Sequence, residues 1–235
     1  MATEPITLRY FEARGRAQPL RNALLHARLP FHDQRVTLEQ WTVLRSHGEH
    51  AGPYASLPSF TWGADTIAET LAIAGFLSRK LGDYDALSPA QIAQLEAISS
   101  NCYLEVLQRA GELIWADLMY PGTELGACCR RLLPRMVQKL TCVERLLDGA
   151  WLHGAKPGLA DFFASEAYET LREVCGPTLD AALANRMPRL SALAQRVQAL
   201  PEIHAVYDQR PTNFTARDDE QAALLQLRAA AQRML

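Results

Sequence analysis

The sequence predicts two folding units, a small α/β domain over residues 1–81 and an all-α domain over residues 88–211, with a helix-prone tail at 212–235. Three observations predict this. Strand and helix signals alternate through the first unit. A helix-start signature, Ser88-Pro89-Ala90-Gln91, follows a short linker at 82–87. From there to about Arg210 the apolar pattern is helical throughout.

The elements follow in order. Ile6-Thr7-Leu8-Arg9-Tyr10-Phe11 is strand-like. Pro19 then sits in the first turn of a helix running to about Ala27, where its missing N–H costs nothing. Leu20, Ala23, Leu24 and Ala27 give that helix an apolar stripe. Phe31 to Val36 is a second strand, so the unit reads βαβ and the two strands are expected to be parallel. After Trp41 the content of Gly, His and Pro predicts an irregular loop. Ser59 to Trp62, a turn at Gly63-Ala64-Asp65, and Thr66-Ile67 predict a hairpin. A helix over Thr70 to Leu81 carries Ile73, Phe76 and Leu77 on one face and stops at Gly82. In the second unit, breaks are expected near Pro121-Gly122, Gly149, Gly154 to Gly158, Gly176-Pro177 and Pro188.

Composition removes several classes of function. Apolar residues make up 49% of the 235, enough for two cores. A net charge of -2 leaves no cationic excess to neutralise phosphates, so nucleic acid is not an expected partner. No apolar run approaches a membrane span, and Met1 to Pro5 lacks a basic segment followed by an apolar one, so a soluble, cytoplasmic protein is expected. Cys102, Cys128, Cys129, Cys142 and Cys175 are odd in number and show no CxxC spacing, which predicts neither a disulfide framework nor a zinc site. His47 and His50 are a close pair without a nearby cysteine or carboxylate cluster, so no metal is expected.

Tyr10 carries the chemistry. It ends the first strand and is followed at once by Arg14-Gly15-Arg16-Ala17 and a helix. A phenol there can donate a hydrogen bond to a thiolate and lower the pKa of a thiol substrate, otherwise near roughly 8.5. No serine precedes Ser46 and no cysteine precedes Cys102, so Tyr10 is the candidate if a side chain activates a thiol.

The run Tyr10-Phe11-Glu12-Ala13-Arg14-Gly15-Arg16-Ala17, taken with Leu57-Pro58, Glu69-Thr70 and Leu159-Ala160-Asp161, resembles the tyrosine-type cytosolic glutathione S-transferases, the sigma, pi, mu and alpha classes. The likeness covers nearly the whole chain. It implies a thioredoxin-like first domain, a helical second domain and a homodimer. It also implies glutathione as co-substrate. Tyr10 matches the tyrosine that hydrogen-bonds the glutathione sulfur, and Arg16 the arginine near the thiol. Arg14 reads as structural, at the mouth of the first helix. Leu57-Pro58 matches a dipeptide with a cis proline, where Leu57 offers its backbone to an extended peptide. Glu69 and Thr70 stand where a helix N-terminus receives the γ-glutamyl carboxylate; a plain N-cap role for Thr70 uses the same groups.

Trp41 matches the tryptophan that meets the glycyl carboxylate. The lysine that follows it in relatives is missing between Trp41 and Pro58, and Arg45 or His47 are the substitutes at hand. Ser56 replaces the usual glutamine. Asn101 aligns with an acid that reaches the glutathione amino group of the partner subunit. Tyr54 lies where some classes carry an aromatic key for the dimer, and reads otherwise as a surface loop tyrosine. Asp161 is expected to hold a buried helix start, with Gly158 as a less specific cap than Ser or Thr. Phe11, Tyr103 and Leu107, with Trp115 and Tyr120, are the candidates for an electrophile pocket, and their other reading is core. The tail from Asp218 to Leu235 either covers that pocket as a lid or packs elsewhere.

The expected function is glutathione transfer to a small apolar electrophile. A ligand carrier without turnover, a glutathione-dependent peroxidase or isomerase, and a structural or regulatory dimer are the alternatives.

Overall fold

The computed structural model describes residues 4–47, 54–114, 125–211 and 213. Trp115, Tyr120, the Pro121-Gly122 break, Cys128 and Cys129 as side chains, the side chain of His47, His50 and the tail from 214 onward lie outside the described residues.

Strand β1 (Ile6–Phe11) buries every second side chain, as its alternation requires. It pairs in parallel with β2 (His32–Val36), after helix α1 (Gln18–His26) has crossed between them. On its other side β1 meets β3 (Ser59–Trp62) in antiparallel register, and β3 turns into β4 (Asp65–Ala68). The sheet order is β2-β1-β3-β4. Leu8 and Phe60 face each other in register, and both are fully buried. Helix α3 (Thr70–Lys80) packs with α1, and its Ile73 and Leu77 are buried in the same core.

Three local expectations are corrected. Helix α2 (Leu38–His47) runs straight through Trp41, where a loop was expected. Thr37 and Gln40 form a reciprocal cap at its start: the Gln40 N–H donates to Thr37 Oγ1 at 3.2 Å and the Thr37 N–H to Gln40 Oε1 at 2.8 Å. Asp65 pairs with Trp62 and belongs to the strand rather than the turn. Ala27 caps α1 at its C-terminus and is exposed rather than part of the buried stripe.

The second domain opens on α4 (Pro89–Cys102), with the Ser88–Gln91 capping box formed in both directions. A π-helical turn at Tyr103–Leu107 carries it into α5 (Gln108–Ile114). There follow α6 (Leu125–Leu146), α7 (Leu159–Cys175), α8 (Asp180–Arg186), α9 (Pro188–Gln198) and α10 (Pro201–His204). Helix α7 is the axis of the domain. Every residue from Leu159 to Leu171 is buried, beneath α9, α4 and α1. Among the described residues, no helix is long and apolar enough to cross a membrane.

Candidate active site

β1 pairs with β3 only from Ile6 to Arg9. Tyr10 therefore lies one residue beyond the antiparallel ladder, at the end where Leu57-Pro58 enters β3. Its side chain is buried (8% exposed), and the chain turns sharply over it at Gly15, whose φ is +41°. A β-carbon added at Gly15 would stand 2.8 Å from the Tyr10 hydroxyl, so only glycine lets the backbone come this close. The Arg16 N–H donates to that hydroxyl oxygen at 3.4 Å.

Charges surround the phenol. Arg21 lies over its ring at 5.9 Å, and the Arg16 guanidinium lies 5.9 Å from the Tyr103 ring. Burial pushes the Tyr10 pKa above its ordinary 10.0, against the pull of Arg16 and Arg21. The phenol is thus neutral at physiological pH and is available as a proton donor. Arg21 is itself buried. It donates to Asp33 at 3.0 Å and to the Ala13 carbonyl at 2.8 Å, which holds the loop after β1 from below.

Arg14 has the structural place expected of it, and the structure shows how. It crosses from the first domain to the central helix, donating to Glu166 at 2.9 Å and to Glu173 at 2.8 Å.

The Leu57–Pro58 peptide bond is cis, and both residues are buried. Ser56 Oγ donates to Glu69 Oε1 at 2.9 Å. Glu69 holds a φ of +71° as the N-cap of α3, so the cap falls one residue before Thr70. Thr70 Oγ1 is buried with no hydrogen-bond partner among the described residues. A buried hydroxyl without a partner, at a helix N-terminus where N–H groups are also open, is a ready receptor for a carboxylate.

Trp41 is half-buried, with its ring edge-on to Phe11 at 6.2 Å between centroids. Arg45 is exposed one helical turn later on α2, so it shares a face with Trp41. Asn101 turns towards α6, its Nδ2 donating to the Lys139 carbonyl at 3.4 Å, on the wall of a groove of about 440 Å³ between the two helices. Tyr103 and Leu107 are buried in the π-helical turn, while Phe11 is half-buried beside Tyr10. Tyr54 is 69% exposed. Asp161 holds the start of α7 as expected, accepting from the Leu152 N–H at 2.8 Å and the Gly158 N–H at 2.9 Å. Burial pushes its carboxyl up to about 6. Among the described residues no cluster of His, Cys, Asp or Glu could hold a metal ion.

Residues 128–210 match the family model for the glutathione S-transferase C-terminal domain. Over 215 residues the chain is 28% identical to the hematopoietic prostaglandin D synthase of Gallus gallus, covering 87% of this chain and 96% of that one. The glutathione S-transferase from Ascaris lumbricoides superposes with a TM-score of 0.70 at 20% identity, over 88% of this chain and 98% of that one. The chain is similar to the glutathione S-transferases and has their fold. It is also 26% identical over 211 residues to S-crystallin 2 of Enteroctopus dofleini, covering 82% of this chain and 91% of that one.

Within this glutathione transferase fold, four residues escaped the sequence reading: Arg21, Glu166, Glu173 and Asn213. Glu166, Thr170 and Glu173 did leave a signal. They recur at helical spacing in a helix rich in apolar residues, where a carboxylate needs a partner. Asn213 left none, since it lies between the helical pattern that ends near Arg210 and the helix-prone run from Asp218.

Proposed function

We propose that the chain is a glutathione transferase in which Tyr10 activates the thiol. One observation carries this reading: a buried, neutral phenol whose oxygen already receives the Arg16 N–H at 3.4 Å, which leaves its own proton to be donated. A sulfur placed before Tyr10 takes that proton in a hydrogen bond that favours thiolate over thiol. Arg16 adds positive charge on the same side.

The rest of the tripeptide has places to go. The γ-glutamyl carboxylate meets the N-terminus of α3 and the unpartnered Thr70 hydroxyl, with Glu69 beside them. The cysteinyl backbone lies along Leu57. The glycyl carboxylate reaches Trp41 and Arg45 on α2. Phe11, Tyr103 and Leu107 border the side from which the electrophile approaches. Tyr54 is the anchor of a homodimer, in which Asn101 of one protomer serves the glutathione of the other.

The reaction is then short. The thiol loses its proton to solvent, the thiolate attacks an electrophilic carbon, and the S–C bond forms as a leaving group departs with its electron pair or as a double bond opens and its other carbon takes a proton from solvent. The likeness to a prostaglandin D synthase supports a wider use of the same activated sulfur, in isomerisation, without changing the role of Tyr10.

The test is a glutathione titration near neutral pH, following the ultraviolet thiolate band in the wild type and in Tyr10→Phe. A hydrogen bond to a charged group contributes about 1.5–3 kcal/mol, so the substitution is expected to raise the pKa of the bound thiol by roughly one to two units. Binding without a thiolate band in the wild type would replace transfer with ligand carriage. Absence of binding would remove glutathione from the account.

A further inference from the structure

Asn213 is buried (8% exposed), more than 190 residues along the chain from the loop it touches. Its Oδ1 accepts from the Gly15 N–H at 2.7 Å, a short contact for a backbone donor. The amide is itself held. Its Nδ2 donates to Glu173 Oε2 at 3.0 Å and to Thr170 Oγ1 at 3.3 Å, and the Asn213 N–H donates to Glu173 Oε1 at 3.1 Å. Glu173 also receives Arg14. The contacts close a ring: Arg14 and Gly15 from the loop, Glu173 from α7, and Asn213 from the segment after α10.

Gly15 is the residue whose backbone stands against the Tyr10 hydroxyl, and the next N–H, that of Arg16, donates to it. Fixing the Arg14–Gly15 peptide therefore constrains, one residue on, the Arg16 N–H that the phenol receives. Arg21 holds the same loop from beneath, through the Ala13 carbonyl. Asn213 takes the N–H of the Arg14–Gly15 peptide, while the carbonyl of that peptide accepts from Arg21 at 3.5 Å and from the Ala17 and Gln18 N–H groups.

We propose that Asn213 is a positioning residue for thiol activation. It holds the Gly15–Arg16 turn so that the Arg16 N–H orients the Tyr10 hydroxyl towards the sulfur. The inference rests on the reading of Tyr10 given above and adds a part of the chain beyond the helical domain to that site.

The experiment is a pH titration of the thiolate band of bound glutathione in four proteins: wild type, Asn213→Ala, Tyr10→Phe and the double variant. Asn213→Ala is expected to raise the pKa of the bound thiol by roughly half a unit, about a threefold loss of thiolate well below the pKa, with the glutathione dissociation constant changed less than about twofold. In the Tyr10→Phe background the same substitution is expected to do nothing more, because it acts through the phenol. If Tyr10→Phe shifts the titration and Asn213→Ala does not, Asn213 has no positioning role and the Tyr10 reading stands. An equal shift in both backgrounds makes the effect general loosening and overturns the inference too. If wild type and Tyr10→Phe titrate alike, the reading of Tyr10 falls and takes this inference with it. Should Asn213→Ala not fold, Asn213→Gln, which keeps the amide but displaces it by a methylene, is measured against the same expectations.

Discussion

Arg14 and Glu166 form a buried ion pair at 2.9 Å that joins two domains across 152 residues of sequence. The Glu166 side chain is fully buried, so its charge depends on Arg14, with Thr170 Oγ1 donating at 3.2 Å. Removing one partner of such a pair strands the other charge, whereas replacing both with apolar groups need not destabilise. Arg14→Ala is therefore expected to lose about 3–5 kcal/mol of stability, and Arg14→Met combined with Glu166→Leu to recover most of it. Urea unfolding of the three proteins decides this. A loss below about 1 kcal/mol in Arg14→Ala would mean the pair is screened like a surface one.

Gly15→Ala brings two faults together. At φ +41° an L-residue costs roughly 1–2 kcal/mol, and the new methyl would press on the Tyr10 hydroxyl at 2.8 Å. Moderate destabilisation is expected in urea, together with a weaker thiolate band on bound glutathione. An unchanged band would show that the phenol tolerates displacement.

Much of this arrangement was legible in the sequence because it rests on local rules. The alternation of β1 declared which side Tyr10 shares with Leu8, and the Ser88–Gln91 box marked where the helical domain begins. The cis bond at Leu57-Pro58 came only through resemblance, since an X-Pro pair reads trans by default. Helix α2 extends past the loop expected after Trp41 because Thr37-Leu38-Glu39-Gln40 is a capping box that starts a helix, whereas the glycines and prolines that signal a loop come only after His47. What could not be read was long-range. The partner of Arg14 lies 152 residues away and that of Gly15 lies 198 away, and no periodicity connects them.

Asp161 sets a pH dependence. Its folded pKa of about 6 lies above the ordinary 3.8, chiefly through burial. The native state therefore holds more protons than the unfolded chain between those values, and this group's contribution to stability falls as pH rises from about 4 through 6. Asn has no such titration. The stability difference between wild type and Asp161→Asn is thus expected to be largest in acid and to shrink by on the order of 3 kcal/mol towards pH 7. Urea midpoints across that range test the sign. A difference that grows with pH would mean that the two backbone N–H groups on the carboxylate outweigh its burial.

Thr70→Val separates binding from folding. The hydroxyl is buried with no partner among the described residues, so replacing it with a methyl removes an unsatisfied polar group while keeping the shape. Stability is expected to stay within about 1 kcal/mol of wild type. Glutathione binding is expected to weaken by roughly tenfold, the effect of one lost hydrogen bond to a carboxylate at a helix N-terminus. The thiolate pKa of whatever glutathione still binds should not move, because the proposed function gives Thr70 the γ-glutamyl end and Tyr10 the sulfur. Calorimetric titration with the thiolate readout distinguishes the cases. Unchanged affinity would place the γ-glutamyl carboxylate elsewhere, whereas a shifted thiol pKa would mean that Thr70 and Tyr10 serve the same end of the ligand.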